Sequence, residues 1–268
     1  MWKWIPTPEN ILTVSRNKFP KTAIALLVLI LLPVLCQARQ QEKHRHAKTH
    51  GRNKASLRVT YSYEYERFDN TLKIERTNEV DILATYGLLE KLDLIVDIPL
   101  KYKLSGGDVI YSWTDDIVLE AKLKLYDHKD FHLAVNPQVS LPTGKYKQGE
   151  GEGRATGAIQ ALVTQDIDPF TFTFSGYYQR NENLVNDRLD IWKVYLIPSA
   201  KLTDYLSLNS SIGLERDTNK KNPNILVHLS GGMAWQINEM VSFLPSAEVV
   251  FYEMETDVIV YLGTQVKF

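Results

Sequence analysis

The most reactive side chains of this 268-residue chain fall in a few short runs. His228 and Ser230 flank Leu229, and a histidine within reach of a serine hydroxyl could serve as general base for acyl transfer. His44, His46 and His50 form H-x-H-x3-H, whose neutral imidazoles could hold zinc, copper or nickel. Residues 149–153, GEGEG, have the glycines of a phosphate cradle, but the glutamates repel phosphate and no Lys-Ser or Lys-Thr follows. His132 has no carboxylate beside it at metal-ligand spacing. Each run has a plainer reading: two polar residues on a wall, a solvated tail, a flexible loop and a rim residue. The plainer readings fit the sequence better, so neither an enzyme nor a cofactor or metal site is expected.

The elements that carry these residues decide the matter. In LRVTYSYEYER, residues 57–67, Leu57, Val59, Tyr61, Tyr63 and Tyr65 share one parity and Arg58, Thr60, Ser62, Glu64 and Glu66 the other, which is the period of an extended strand. Twelve such stretches follow one another with no amphipathic helix between them: residues 56–67, 72–86, 92–103, 116–126, 131–142, 158–167, 170–180, 191–202, 206–216, 225–237, 241–253 and 257–268. Most exceed the five or six residues common in soluble sheets and match the nine to eleven that a tilted membrane strand needs. The connections after strands two, four, six, eight and ten are tight, and those after strands three, five, seven and nine are long and polar. This asymmetry is that of outer-membrane barrels, with short turns in the periplasm and long loops outside. The expected fold is all-β, a closed antiparallel up-and-down transmembrane barrel of about 12 strands over residues 55–268.

A barrel of this kind turns its apolar parity to lipid and its polar parity inward. The inward set then includes Arg58, Glu64, Glu66, Lys73, Glu75, Asp93, Asp97, Lys101, Lys103, Glu120, Lys122, Lys124, Lys193 and Glu248, with Tyr177 and Tyr195 among the aromatics. Mixed signs suggest salt-bridge ladders across a narrow bore rather than a strongly selective ring. Tyr126, Tyr177, Tyr195, Tyr252 and Tyr261, all of inward parity, could offer stacking faces to a flat solute.

The first 54 residues have a different character. Arg16, Lys18 and Lys21 precede the apolar run AIALLVLILLPVLC and the small residues of Cys36-Gln37-Ala38, the pattern of a Sec-type secretory signal spanning residues 1–38. An uncleaved anchor and a lipoprotein acylated on Cys36 are the alternatives. Cys36 is the single cysteine, so removal of the signal leaves no thiol or disulfide. Residues 39–54 are basic, contain the three histidines and lack periodicity, and they read as a disordered periplasmic leader. From Ala55 onward the chain holds 21 Lys and Arg against 30 Asp and Glu, a net charge of −9, which argues against nucleic acid as a partner.

The last strand, DVIVYLGTQVKF, stops on Phe268 and resembles the signal by which bacterial outer-membrane proteins engage their assembly machinery. Tyr86-Gly87-Leu88 leading into Leu92-Asp93-Leu94, and the strand end Leu141-Pro142-Thr143-Gly144, resemble the outer-membrane barrels of the "MetA-pathway of phenol degradation" or transporter-like family. Asp115-Asp116 stands where that family's pattern has Gly-Asp. The resemblance implies a Gram-negative outer-membrane location and passive transport of small, hydrophobic or aromatic organic solutes. The rival expectation is a non-conducting structural or partner-binding barrel that works through its outer loops, above all residues 143–157. The partners expected are membrane lipid, the barrel assembly machinery and a small-molecule solute.

Overall fold

The computed structural model describes residues 46–67, 74–105, 108–111, 115–144, 153–180, 188–216, 225–251 and 256–268. Expectations placed on residues 1–45, on Lys73 and Tyr252 and on the loop tip 145–152 lie outside this set. The strands are β1 (Ala55–Arg67), β2 (Ile74–Leu89), β3 (Leu92–Ser105), β4 (Asp108–Tyr111), β5 (Ile117–His128), β6 (Phe131–Leu141), β7 (Thr156–Ile167), β8 (Phe170–Arg180), β9 (Asp190–Lys201), β10 (Leu206–Glu215), β11 (Leu226–Gln236), β12 (Val241–Phe251) and β13 (Thr256–Lys267). Among the described residues there is no helix.

Sequential neighbours pair antiparallel, and β1 pairs with both β2 and β13, which closes the sheet. At the seam the Ala55 N–H donates to the Phe268 carbonyl at 3.3 Å and the Phe268 N–H to the Ala55 carbonyl at 2.8 Å. Twelve strands make the barrel, as the alternation predicts. The thirteenth, β4, is four residues long and pairs with the loop end of β3, Tyr102 opposite Tyr111. The sequence reading leaves it in a loop because four residues are too few to establish a period of two.

Four prolines sit inside strands, where each lacks the N–H of a rung, and the β3–β5 ladder ends at Asp97↔Val118, short of Pro99. The β5–β6 ladder skips from Glu120↔Gln138 to Leu123↔Val135, past Pro137. The β9–β10 ladder skips from Asn209↔Ser199 to Ile212↔Leu196, past Pro198. The β11–β12 ladder skips from Gly232↔Ser246 to Trp235↔Phe243, past Pro245. Each proline thus interrupts the ladder on one side of its strand and leaves the barrel closed.

Polarity is inverted relative to a soluble sheet. Asp93 is 0% exposed while its neighbour Leu94 is 42% exposed, and Glu120 is 7% exposed beside Leu119 at 42%. Leu57, Val59, Ile159, Phe174, Ile212, Val260 and Leu262 are all exposed outside, so the outer surface is apolar and the charged parity faces in. Only lipid makes such a surface stable. One strand breaks parity. A register shift between Lys124 and Tyr126 in the β5–β6 ladder carries Tyr126 outward, half exposed and edge-on to Phe131 at 5.9 Å. Tyr126 therefore belongs to the outer aromatic belt and not to the interior.

The largest departure from expectation is at residues 46–54, read from sequence as part of a structureless leader. They pack into the short-turn mouth of the barrel, where Ala47 is fully buried with Ala134 and Leu162. Glycines make the approach possible. The Asn53 N–H donates to the Gly87 carbonyl at 2.7 Å and the Gly87 N–H to the Lys54 carbonyl at 2.8 Å. A Cβ on Gly87 would lie 1.9 Å from the Gly51 carbonyl oxygen, and Gly51 itself has φ +89°. Periodicity cannot reveal this packing, because an irregular segment held by side chains has no period.

Candidate functional site: the barrel interior

The interior is built by twelve inward-facing rows, and its two halves differ in chemistry. On the wall formed by β1–β6 charges dominate. Asp93 on β3 lies opposite Lys122 on β5, and both reach the inserted segment. The His50 N–H donates to the Asp93 carboxylate at 3.0 Å, His50 Nδ1 lies 2.9 Å from the same carboxylate, and His50 Nε2 lies 3.0 Å from Ser56 Oγ. Lys122 Nζ donates to the His46 carbonyl at 3.3 Å. A small cavity remains beside the segment, lined by His50, Ser56, Arg58, Leu83, Thr85, Ile95, Lys122 and Gln265.

The same segment reaches the far side of the same mouth. Lys48 Nζ donates to Asp166 at 2.6 Å, and the Ala47 N–H donates to Thr164 Oγ1 at 2.9 Å. His132 stands between two carboxylates, Asp127 at 2.5 Å and Asp166 at 3.2 Å, and Lys124 donates to Asp127 at 2.6 Å. These carboxylates come from neighbouring strands. Asp127 is five residues back across the β5–β6 turn and Asp166 is 34 residues on, and cross-strand register rather than sequence spacing brings both to His132.

Half-way up, a chain of amides connects the walls. Asn136 Nδ2 donates to Glu120 at 2.8 Å and to the Gln160 side-chain oxygen at 3.3 Å, and Gln160 Nε2 donates to Ser175 Oγ at 2.8 Å. Thr164 and Thr173 hydroxyls lie 2.9 Å apart, both fully buried. Such cross-strand networks fix strand position where no apolar core exists.

Toward the long-loop end β9–β13 hold one compact cluster. Lys193 pairs with Glu215 at 2.6 Å and stands 5.7 Å from the Tyr177 ring centroid. Tyr195 OH donates to Glu215 at 3.1 Å and Tyr261 OH to Glu248 at 2.6 Å. His228 lies between them, Nδ1 2.9 Å from Glu248 and Nε2 3.4 Å from Glu215, with the Tyr195 ring edge-on at 5.8 Å. Tyr195 lies over Gly213, where a Cβ would come within 1.8 Å of its ring. Tyr195 and Tyr261 are therefore packed wall residues with little face to offer a solute, unlike the half-buried Tyr177.

The structure brings together Asp93 with Lys122, Glu120 with Asn136, Lys193 with Tyr195, and Lys101 with Asp115 as an ion pair. Arg58, Asp97 and Glu248 are also on the inner wall, Glu248 against His228. Glu64 lies on the same parity, opposite Ile259 and Thr77. The backbones of Glu66, Glu75 and Lys103 lie in strands β1, β2 and β3, and Lys73 is outside the described residues. His228 and Ser230 do not form a catalytic pair, since His228 engages two glutamates and the Ser230 hydroxyl is bonded to Ser211. His50 faces Asp93 and Ser56. No group of three His, Asp or Glu among the described residues is arranged to hold a metal.

This architecture recurs in solved outer-membrane proteins. An outer-membrane channel from Pseudomonas putida F1 superimposes with a TM-score of 0.69 at 14% identity over 83% of this chain and 98% of that one. The NanC porin gives 0.57 at 5% identity over 78% and 100%. The translocator domain of the autotransporter NalP from Neisseria meningitidis gives 0.52 at 11% over 92% and 98%. No curated protein matches by sequence. At these identities the likeness establishes the fold, a transmembrane barrel of the outer-membrane type. The family is fixed by sequence over residues 44–268, the whole barrel and the inserted segment: the chain belongs to the family described as "Putative MetA-pathway of phenol degradation".

Proposed function

We propose that this barrel is a passive channel of the Gram-negative outer membrane for small organic solutes, hydrophobic or aromatic ones favoured through the family it belongs to. The observation that carries the reading is the inverted polarity, charged and hydroxylated inside and apolar outside, which suits a wet lumen in a lipid-embedded wall. The fold shared with an outer-membrane channel and a porin supports it. The chain reaches the membrane after loss of residues 1–38, and the assembly machinery reads the terminal strand ending on Phe268, which is exposed at the seam.

A second reading has its own support. The cross-strand ion pairs and the segment at residues 46–54 brace the interior in the way small filled barrels are braced, which suits a non-conducting barrel that works through its loops. One experiment separates the two. The protein is purified from outer-membrane fractions, its N-terminus sequenced, and its planar-bilayer conductance and liposome uptake compared with those of a Lys101→Ala, Lys122→Ala, Lys124→Ala variant. A channel gives conductance whose ion selectivity shifts in the variant. No conductance or uptake from the intact protein would sink the channel reading and favour the braced barrel.

A further inference from the structure

The cavity beside the inserted segment has a volume of about 30 Å³, room for a guest the size of one or two water molecules. Most of its wall comes from neighbouring strands: Ser56 and Arg58 on β1, Thr85 on β2, and Gln265 on β13, which stands opposite Arg58. Lys122 also borders it, yet Lys122 belongs to β5, which pairs with β3 and not with β2. Only the far end of its side chain can span the intervening strand, so the ammonium is the part that reaches the cavity.

That ammonium is poorly matched. Lys122 is 5% exposed, and among the described residues its one hydrogen bond goes to the His46 carbonyl at 3.3 Å, with no carboxylate at ion-pair distance. Asp93, opposite it across the β3–β5 ladder, attracts it from a distance but places its oxygens on His50. Glu120 accepts from Asn136 and Gln138. Two donors at the cavity are idle as well: among the described residues neither the Thr85 hydroxyl nor the Gln265 amide has a hydrogen-bond partner. No Asp or Glu lines the space. A water molecule would satisfy the donors but leave the ammonium uncompensated beside a second cation, Arg58, and a charge held out of water without a counter-charge is costly.

We propose that this cavity is a binding site for one small inorganic anion of halide size, such as chloride. The Lys122 ammonium supplies the charge. The Thr85 hydroxyl, the Gln265 amide and the Arg58 guanidinium, whose five N–H groups can serve more than one partner, complete the shell. The volume excludes a ring-bearing solute, so the anion acts on the segment and not on a solute's route. Lys122 holds the His46 carbonyl and His50 lines the same cavity, so the anion fixes the cation that fixes the segment. The inference stands apart from the channel reading, since an anion locked in the wall neither needs nor prevents flow past it.

The probe is bromide, which scatters X-rays anomalously and matches chloride in charge and nearly in size. The mature protein is crystallised in bromide, and its unfolding by urea is followed in micelles with bromide or, at equal ionic strength, gluconate, which is too large for the cavity. An anomalous peak should lie in the cavity against Lys122, and the urea midpoint should rise by about 0.3–0.5 M when bromide replaces gluconate. Lys122→Met should abolish both. Should that variant fail to fold, Gln265→Leu decides, since it removes one donor and should weaken bromide about tenfold, one hydrogen bond to a charged group. Lys201→Met, in an exposed pair with Asp204, should keep the peak and the rise. Water without an anomalous signal in the cavity overturns the site. A peak accompanied by the same bromide dependence in Lys122→Met or Gln265→Leu as in the parent means an adventitious ion only, and overturns it too. Conductance of the same preparations tests the channel separately.

Discussion

The two halves of the interior solve the same problem by different means. The wall of β1–β6 places Asp93, Asp97, Glu120, Lys122 and Lys124 inward and holds them by ion pairs and by the backbone of residues 46–50. The wall of β7–β13 is richer in Ser, Thr, Gly and Leu, held by hydroxyl pairs and close packing, with Asp166 at the short-turn mouth and a cluster of charges around Glu215, His228 and Glu248. The charged half holds the inserted segment at His46 and His50, and the other half holds it at Lys48 through Asp166 and at Ala47 through Thr164. Charge in this lumen therefore positions protein, and the small cavity that remains lies beside His50, Arg58 and Lys122 on the charged wall. That arrangement bears on selectivity, because a ring of one sign would favour ions, whereas charges of mixed sign already engaged with a peptide segment form no such ring.

The largest effect expected from this comparison is at Asp93. It is fully buried and receives the His50 N–H and imidazole, with Lys122 opposite. Asp93→Ala removes the partner of a buried cation and the anchor of the segment together. Unfolding in guanidinium from micelles should show a loss of about 3–5 kcal/mol. Conductance, if the barrel conducts, should rise as the segment loosens. A loss under 1 kcal/mol would mean that the segment is not held by the charged wall.

Much of this was legible in the sequence, and the misses share one cause. Strict alternation places twelve strands, and the inward identity of Asp93, Glu120, Lys122 and Glu248 follows from parity alone, because a period of two assigns every residue a face. Three things escape that logic. Parity fails at a bulge, so Tyr126 is assigned to the wrong face. It is silent about irregular backbone, so residues 46–54 read as solvated although Gly51, Gly87 and Asp93 receive them. It does not report which inward residues meet, so His228 and Ser230, two apart on β11, look like partners while the true partners of His228, Glu248 and Glu215, stand on the neighbouring strands β12 and β10. Cross-strand register, which turns parity into contacts, is set by turns and bulges and not by composition.

The neutral half should respond to shape before charge. At Gly213 a methyl group would come within 1.8 Å of the Tyr195 ring. Gly213→Ala must push Tyr195 off Glu215 and away from His228, at about 1–3 kcal/mol of overpacking, with little dependence on salt. Near-UV circular dichroism should report the displaced tyrosine. A variant as stable as the parent would show that Tyr195 has a second resting place, and that the neutral wall is looser than its packing suggests.

The smallest effect lies where the two halves meet through the segment. Thr164 Oγ1 accepts the Ala47 N–H, so its own proton is free to be donated to Thr173 Oγ1, 2.9 Å away. Thr173→Val keeps the shape and β-branching of the wall and removes only that acceptor. Thr164 can then turn its hydroxyl without releasing Ala47, and the loss should be near 1 kcal/mol, the value of one neutral hydrogen bond. Hydrogen exchange of the Ala47 amide should stay slow in this variant and quicken in Asp93→Ala. If Thr173→Val instead freed Ala47 as fully as Asp93→Ala does, the segment would be held from the neutral side, and the division of labour between the two walls would have to be reversed.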